Sequence, residues 1–325
     1  MKILVTGGAG YIGSHTCKLL AQMGYEPITY DNLSTGHKEF VKWGPLIIGD
    51  LHDTNKITQI LKNYCPTAII HFAASAYVGE SVTDPFKYYW NNVGGTLSLL
   101  NGMRKTNINK IVFSSSCATY GVPEVELINE SCPQKPVNPY GQSKLMIEQI
   151  LRDLADKEEI KHICLRYFNA AGADKEGEIG EKHYPETHLI PLAIFSGLGQ
   201  SALSIFGTDF PTPDGTAVRD YVHVEDLARG HILALEHLLS GGESDFINLG
   251  TGKGNSVREV LSTIKELGIH AISHDAPRRE GDPASLVADK SKAMRILKWQ
   301  NEYKNIKQIL STAIAWHQKT TSLTN

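Results

Sequence analysis

The sequence predicts an α/β fold in which a doubly wound parallel sheet is joined to a smaller, mixed α/β C-terminal domain. Two observations predict it: short β-branched runs alternate with longer amphipathic runs up to Asn169, and a less regular pattern follows. Such alternation gives parallel strands, because each helix returns the chain to the same edge of the sheet. At roughly 150 residues per domain, a chain of 325 residues has room for about two.

The elements of the first half follow from these runs. Six β-branched runs are expected to be strands: Ile3–Thr6, Pro27–Tyr30, Leu46–Ile48, Ala68–His71, Ile111–Ser114 and Ile163–Tyr167. Four longer segments with helical spacing are expected to be helices: Ile12–Met23, Asn55–Tyr64, Pro85–Arg104 and Tyr140–Lys157. Ligands of parallel sheets bind at the carboxyl ends of the strands, so functional residues are expected there.

The second half is less regular. Gly172–Pro185 and Phe206–Gly215 are rich in glycine, proline and charge, which is typical of loops. Val224–Leu239 reads as a helix and Phe246–Leu249 as a strand, and both are expected to dock back on the first domain. The expected division is therefore a cofactor-binding domain at 1–168, with 224–249 packed on it, and a substrate-binding domain at 169–325.

Composition excludes several classes of protein. The 32 basic and 35 acidic residues give a net charge of -3, so neither nucleic acid nor a membrane surface is an expected partner. No apolar run approaches the ~18 residues of a membrane span, and no secretory signal opens the chain. The five cysteines are scattered without a C-x-x-C pair, which indicates a cytoplasmic protein. The histidines show no metal-ligand spacing, so no metal is expected.

A glycine-rich turn follows the first predicted strand. Gly7, Gly10 and Gly13 have G-x-x-G-x-x-G spacing and open a helix, where backbone N–H groups and the helix dipole can hold a pyrophosphate. Asp31 ends the next strand roughly 20 residues later, where a carboxylate binds the adenosine ribose. A carboxylate repels a 2′-phosphate and no arginine follows closely, so NAD is expected rather than NADP. Asp50, at the end of the third strand, has two alternatives: a contact with adenine, or a helix cap.

Three side chains suggest a dehydrogenase site. Tyr140 and Lys144 lie four residues apart on one face of a helix, and Ser116 follows a buried strand. Removing an alcohol proton as hydride leaves carbon requires a general base with a pKa near neutrality. An ammonium about 5 Å from a phenol contributes roughly 3 kcal/mol, or about two pKa units. Tyr140 is therefore the expected base or acid, and Ser116 the hydrogen-bond partner of the same substrate oxygen.

Several ordered motifs resemble one known family over nearly the whole chain. They are Val5–His15, Val78–Ser81, Asn91–Val93, Arg166–Asn169, Val218–Val224 and Ala276–Asp282. On these residues the chain resembles the extended short-chain dehydrogenase/reductase family, with its Rossmann sheet, and within it the nucleotide-sugar 4-epimerases.

The resemblance implies roles for individual residues. It implies catalysis by Ser116, Tyr140 and Lys144. Beside the glycines, it implies NAD contacts from Tyr11, Ile12, Asp31, Asn32, Asp50, Leu51, Phe72, Ala73, Asn91, Ser114, Tyr140, Lys144, Tyr167 and Phe168. It implies sugar-nucleotide contacts from Ser116, Asn169, His188, Leu189, Phe206, Arg219, Arg279, Asp282 and Leu286.

The implied activity interconverts UDP-glucose and UDP-galactose. The sugar is oxidised at C4 by tightly bound NAD, and hydride returns to the opposite face of the 4-keto sugar. The family often has a lysine in the stretch 74–77 that this chain lacks, which puts one cofactor contact in doubt. Leu286 occupies the position that gates sugar size, so poor acceptance of N-acetyl sugars is expected. The resemblance also implies a homodimer through helices 85–104 and 140–157.

Three alternatives are weighed. A 4,6-dehydratase needs a carboxylate pair beside the serine, whereas Cys117, Ala118 and Thr119 follow Ser116 here. A UDP-pentose 4-epimerase acting on UDP-xylose and UDP-arabinose shares the catalytic residues and stays open. A non-catalytic NAD-sensing module is the alternative from a different class, and the presence of both Tyr140 and Lys144 speaks against it.

Overall fold

The structure is a computed structural model that describes residues 1–157 and 160–322. Its strands are β1 (Lys2–Thr6), β2 (Glu26–Asp31), β3 (Leu46–Ile48), β4 (Ala68–His71), β5 (Lys110–Ser116), β6 (Lys161–Tyr167), β7 (Asn169–Ala171), β8 (Leu203–Phe206), β9 (Val218–His223), β10 (Asp245–Leu249), β11 (Gly254–Ser256), β12 (Ser273–Ala276) and β13 (Ser285–Leu286). Its helices are α1 (Tyr11–Gln22), α2 (Thr54–Tyr64), α3 (Val78–Thr83), α4 (Pro85–Tyr88), α5 (Gly95–Thr106), α6 (Pro139–Asp156), α7 (Leu189–Gly197), α8 (Val224–Leu239), α9 (Val257–Glu266), α10 (Ser291–Ile296) and α11 (Ile306–Ser322).

A seven-stranded parallel sheet organises the first half of the chain. Its order is β10-β6-β5-β4-β1-β2-β3, so β1 lies inside the sheet and the chain winds outward in both directions. Ile3 and Val5 of β1 face one layer of helices and Leu4 faces the other, since successive strand residues point to opposite faces. All three side chains are fully buried. The predicted doubly wound parallel sheet is confirmed.

The two helical layers that cover the sheet come from different parts of the chain. α1 and α8 cover one face, and α2, α5 and α6 cover the other. α8 therefore packs beside the first helix of the chain although it lies more than 200 residues later. β10 extends the sheet beside β6, with Asp245 opposite Ile163 and Leu249 opposite Tyr167.

The rest of the chain forms a mixed unit. β7 and β13 run parallel to β9 while β11 runs antiparallel to it, and β8 pairs separately with β12. α7, α9 and α11 cover these strands with a core that includes Ile190, Ile264 and Leu310. Of the residues that the structure describes, none belong to a helix with the length and apolar character needed to cross a bilayer.

The segment predicted as one helix at 85–104 differs in detail. α4 ends at Tyr88, a π-helical segment covers Tyr89–Gly94, and α5 continues from Gly95. Asn92 lies inside the π-helical segment, where its side chain accepts from the Ser75 backbone N–H at 2.8 Å and donates to Ser143 Oγ at 3.0 Å. The wider turn thus places an amide side chain between β4 and α6. Such π segments are frequent at functional sites.

Candidate active site

The glycine turn between β1 and α1 forms a cradle at the end of the sheet. Gly7 has a φ of +72°, which favours glycine, and a Cβ there would lie 2.6 Å from the backbone nitrogen of Ala73. A Cβ on Gly13 would lie 2.2 Å from the carbonyl oxygen of Gly7. Gly10 is the N-cap of α1, and no side chain among the described residues caps it. The helix therefore presents its N-terminus to the space above the turn, which suits a pyrophosphate.

Two acidic residues lie beside this cradle, as the sequence predicts. Asp31 ends β2 and accepts from the backbone N–H of Ala9 at 3.0 Å and of Leu33 at 2.8 Å. Asp50 accepts from Asn32 Nδ2 at 2.8 Å. Asp53 caps α2 by accepting from the Lys56 N–H, so the helix-cap alternative for Asp50 is wrong. The two carboxylates at this edge are hydrogen-bond acceptors that fit the ribose hydroxyls and the adenine amino group of a dinucleotide.

The remaining expected cofactor residues line the ends of the neighbouring strands. Phe72 and Ala73 follow β4, and both of their backbone N–H groups donate to Thr6. Asn91 donates to Ser75 Oγ at 3.1 Å, so hydroxyl and amide groups fill the stretch in which the family often has a lysine. Ser114 and Tyr167 join their hydroxyls across β5 and β6. The other expected contacts, Ile12, Leu51 and Phe168, are apolar.

Ser116, Tyr140 and Lys144 meet where β5 ends and α6 begins. Asn138 caps α6 by accepting from the Gly141 N–H at 2.8 Å, and Pro139 fixes its first turn. Ser116 lies close enough to the Tyr140 phenol to lower its pKa, against the larger effect of burial. Lys144 Nζ lies 5.8 Å from the centroid of the Tyr140 ring. The three side chains predicted from spacing are therefore together.

The pKa of Tyr140 differs from the value near neutrality that the sequence predicts. Burial raises the pKa of Tyr140 to about 12, and burial lowers the pKa of Lys144 to about 7. The expected lowering of the tyrosine pKa by its neighbour is thus wrong for the ligand-free protein. The reason is that Lys144 is itself only 2% exposed and donates to the Ser114 carbonyl at 2.8 Å rather than to the phenol.

A buried ion pair, which the sequence analysis missed, fixes the catalytic helix to the sheet. Glu148 lies one turn after Lys144, and both of its oxygens accept from Arg166 of β6, at 2.9 and 2.6 Å. Ser115, next to Ser116, donates to the same carboxylate at 2.5 Å. The charge of Glu148 also raises the pKa of Lys144 against the larger effect of burial. The position of Glu148, four residues after Lys144 on the same helix face, is the sequence feature that points to a role for this glutamate beside the lysine.

The second unit brings together most of the expected sugar-nucleotide residues. Arg219 of β9 forms an ion pair with Asp282. The Arg279 guanidinium lies 3.9 Å from the centroid of the Phe206 ring. Leu286 lies opposite Arg219 in the β13–β9 pair and packs in one cluster with Cys117 and Phe168. Asn169 begins β7, directly after the cofactor residues of β6.

His188 and Leu189 begin α7 and lie in a different environment from the arginines. His188 Nδ1 lies 2.6 Å from Glu181 Oε1. His183 stands near the same carboxylate, and its ring makes an edge contact with Tyr11 at 6.2 Å between centroids. The loop before α7 therefore approaches Tyr11, the first residue of α1.

Comparison with known proteins gives consistent matches. Residues 3–250 match the NAD dependent epimerase/dehydratase family. The UDP-glucose 4-epimerase of Rhizobium meliloti is 51% identical over 319 residues, which cover 98% of this chain and 97% of that protein. A crystal structure of UDP-glucose 4-epimerase from Brucella ovis in complex with NAD has a TM-score of 0.94 at 52% identity, over 97% of each chain. The enzyme from Bifidobacterium longum, in complex with NAD+ and UDP, has a TM-score of 0.94 at 38% identity, over 99% of each chain.

Proposed function

The chain belongs to the NAD dependent epimerase/dehydratase family, and from this premise we propose that it interconverts UDP-glucose and UDP-galactose by reversible oxidation at sugar C4. The observation that carries the proposal is the meeting of Ser116, Tyr140 and Lys144 beside the glycine cradle. The protein is an isomerase, because the oxidation at C4 is reversed within one turnover and no net redox change remains.

The chain's own residues supply the proton transfer. NAD, held by the glycine turn and Asp31, would supply the acceptor and donor of hydride that this reaction needs. Tyr140 takes the proton of the 4-hydroxyl and later gives it back, while Ser116 hydrogen-bonds the same oxygen. Lys144 supplies positive charge near the phenolate. In this arrangement the base and the acid are the same side chain, which suits a reaction that runs in both directions.

The second unit holds the nucleotide and leaves the sugar free to turn. Arg219 and Arg279 suit a diphosphate, because guanidinium groups bind it through paired hydrogen bonds. Phe206 and Asp282 lie beside them, where a ring face and a carboxylate can receive uridine. A sugar held through its distal diphosphate can present either face of its 4-keto form. Hydride return to the opposite face then inverts C4.

One assay tests the proposal. Purified protein is incubated with UDP-galactose and no added cofactor, and the sugar products are separated. We expect UDP-glucose, with NAD released when the protein is denatured. Absence of any turnover would favour an NAD-sensing module. Faster conversion of UDP-xylose and UDP-arabinose than of the hexoses would replace this proposal with a pentose 4-epimerase.

Leu286 sets the expected limit on sugar size. Its side chain is 8% exposed and packs with Cys117, which follows the catalytic serine. Replacing Leu286 by serine removes about three carbon atoms' worth of volume beside the sugar. We expect kcat/KM for UDP-N-acetylglucosamine to rise about tenfold, which is roughly 1.4 kcal/mol of relieved overlap. Kinetics with UDP-glucose serve as the control, and an unchanged ratio between the two substrates would contradict the assignment.

We also propose a homodimer through the helices at 85–104 and 140–157. The support is an apolar surface on α3 to α5: Val82, Phe86, Trp90 and Leu97 are 62%, 73%, 58% and 48% exposed. Contiguous exposed apolar patches mark interaction sites. The partner is a second copy of this chain, because the resemblance implies pairing through these same helices.

Phe86→Asp is expected to shift the protein from dimer to monomer at micromolar concentration. A carboxylate at the centre of the apolar surface would be desolvated in the dimer and solvated in the monomer. Light scattering after size exclusion measures the mass. Ile272→Asp is the matched control. Ile272 directly precedes β12, is 65% exposed and lies outside this surface. A monomeric parent, or a dimeric Phe86→Asp variant, would contradict the proposal.

We also propose that the chain is divided into two units and that the protein is cytoplasmic. Residues 1–168 with 224–249 form the cofactor unit and 169–325 the substrate unit, and the pairing of β10 with β6 supports this assignment. Residues 323–325 of the substrate unit lie outside the described residues. The five unpaired cysteines support a cytoplasmic location.

A further inference from the structure

Two carboxylates and two imidazoles converge in the loop before α7. Glu181, His183, Glu186 and His188, here called the Glu/His cluster, each present one potential ligand atom, and these atoms all lie within 4.8 Å of one another. Glu181 Oε1 lies 2.6 Å from His188 Nδ1 and 3.4 Å from His183 Nδ1. Glu186 lies 3.6 Å from His183 Nδ1 and 3.4 Å from His188 Nδ1. The sequence spacing E-x-H-x-x-E-x-H went unrecognised because the loop has no regular period.

The charge in the Glu/His cluster requires compensation. The side chains of Glu181 and Glu186 are 4% and 7% exposed. Across 1–157 and 160–322, the only basic groups within 4.0 Å of either carboxylate are His183 and His188. Buried carboxylates are costly unless paired or bound to a metal. Two positive charges are therefore needed, and either two imidazole protons or one divalent cation can provide them.

The geometry favours a cation. His183 Nδ1 is shielded from solvent and makes no hydrogen bond to any described residue, although two carboxylates face it. Zinc ligands at about 2.0–2.1 Å in a tetrahedron are separated by about 3.3 Å. Three of the four imidazole–carboxylate separations, at 3.4, 3.6 and 3.4 Å, are near that value. Two imidazoles and two carboxylates are also a donor set that zinc accepts.

Neighbouring groups hold the carboxylates in place. Glu186 Oε1 accepts from the backbone N–H groups of Thr187 and His188, at 2.7 and 2.8 Å. Trp316 of α11 donates its indole N–H to the Glu181 carbonyl at 2.9 Å. Outer-shell bonds of this kind orient metal ligands. Only His188, with a side chain 48% exposed, opens the cluster to solvent.

We propose that Glu181, His183, Glu186 and His188 form a binding site for one Zn²⁺ ion per chain. The ion would join residues 181–188 of the loop before α7 to one another, beside Tyr11 and Tyr77, whose rings both contact His183. The site departs from the sequence-based expectation that the protein holds no metal. It does not depend on the proposed epimerase activity.

Protons compete with the metal. Although burial opposes it, Glu181 and Glu186 raise the pKa of His183 to about 9 and of His188 to about 10. Zn²⁺ binds only an unprotonated imidazole nitrogen, so protons on the two histidines must leave when the ion binds. His317 of α11 also lies near Glu181, Glu186 and His183. Zinc affinity is therefore expected to rise with pH.

The test measures Zn²⁺ binding to the NAD-loaded protein after dialysis against a chelator. Cys65→Ser is the background, because Cys65 is exposed and a thiol is a zinc ligand in its own right. Calorimetry with zinc alone, in two buffers of different ionisation enthalpy, gives the stoichiometry and the protons released. We expect one site per chain, with protons released on binding. His183→Asn should abolish the site, and the isosteric Glu186→Gln should weaken it by about 100-fold or more.

His270→Asn in the same background is the matched control for surface histidines, because His270 is exposed and distant in sequence. It should bind zinc like the background. If His183→Asn fails to fold, Glu186→Gln decides alone, since it keeps the shape of the side chain. Zinc binding that is absent from the background, or equal in the background and in Glu186→Gln, would overturn the proposal.

Discussion

Tyr140→Phe is expected to abolish epimerisation while the protein still folds and retains NAD. The Tyr140 phenol is the group that carries the 4-hydroxyl proton in the proposed reaction, and Ser116 lies close to it. Loss of a positioned acid–base group costs about 10²–10⁴-fold, and we expect a loss of at least about 10³-fold because the residue acts in both half-reactions. Steady-state conversion of UDP-galactose measures the rate, and absorbance of NAD released on denaturation measures retention.

Tyr88→Phe is the matched control. Tyr88 makes an edge contact with the Tyr140 ring at 6.4 Å between centroids, but its hydroxyl is bonded to the Tyr77 carbonyl and Glu80. Removing the Tyr88 hydroxyl should change the epimerisation rate only a few-fold. A Tyr140→Phe variant with near-normal turnover would refute the assignment of the base, and loss of bound NAD in that variant would indicate a role in binding instead.

Lys144→Met is expected to lower the rate at pH 7 by about 10²-fold and to make the rate strongly dependent on pH. A positive charge 5.8 Å from the phenol ring stabilises the phenolate by roughly 3 kcal/mol at an effective dielectric of about 20. Without that charge the phenolate loses this stabilisation, while burial continues to raise the pKa of Tyr140. The fraction of phenolate, and with it the rate, should then rise about tenfold per pH unit from pH 7 towards pH 10.

The direction of this dependence follows from which form reacts. Because the base must be deprotonated, a higher phenol pKa moves the rising limb of the pH profile to higher pH. The pKa of Lys144 is about 7, so the parent enzyme loses this positive charge as the pH rises and should show a flatter profile over the same range. Lys144→Arg keeps a cation and should restore part of the rate at pH 7. A Lys144→Met profile parallel to that of the parent would contradict the electrostatic role.

Local spacing predicted the parts of the site that lie on regular elements. The glycine turn, Asp31, and the Tyr140–Lys144 pair are each defined within about 20 residues, and a parallel sheet brings strand ends together without further information. Ser116 was expected just beyond a strand ending at Ser114, whereas β5 continues to Ser116 itself. A difference of two residues at a strand end is within the precision of any assignment of boundaries.

Contacts between residues that are far apart in the sequence cannot be predicted from local spacing. Arg166 and Glu148 pair across 18 positions through the packing of α6 on β6, and the sequence shows them only as ordinary charged residues. The Glu/His cluster depends on a loop anchored elsewhere: Lys18 of α1 binds Asp174 at 2.8 Å, and Trp316 of α11 binds Glu181. The pKa of Tyr140 required the burial of its surroundings, which no spacing reveals.

In the proposed reaction one hydrogen leaves C4 and returns to the same carbon, so an isotope label at C4 follows its path. UDP-galactose carrying deuterium at C4 is converted without added cofactor, and the UDP-glucose formed is analysed by mass spectrometry and NMR. Deuterium is expected to stay at C4 of the product, with no exchange into water. Product that has lost the label to solvent, or that carries it at another carbon, would contradict the proposed reaction.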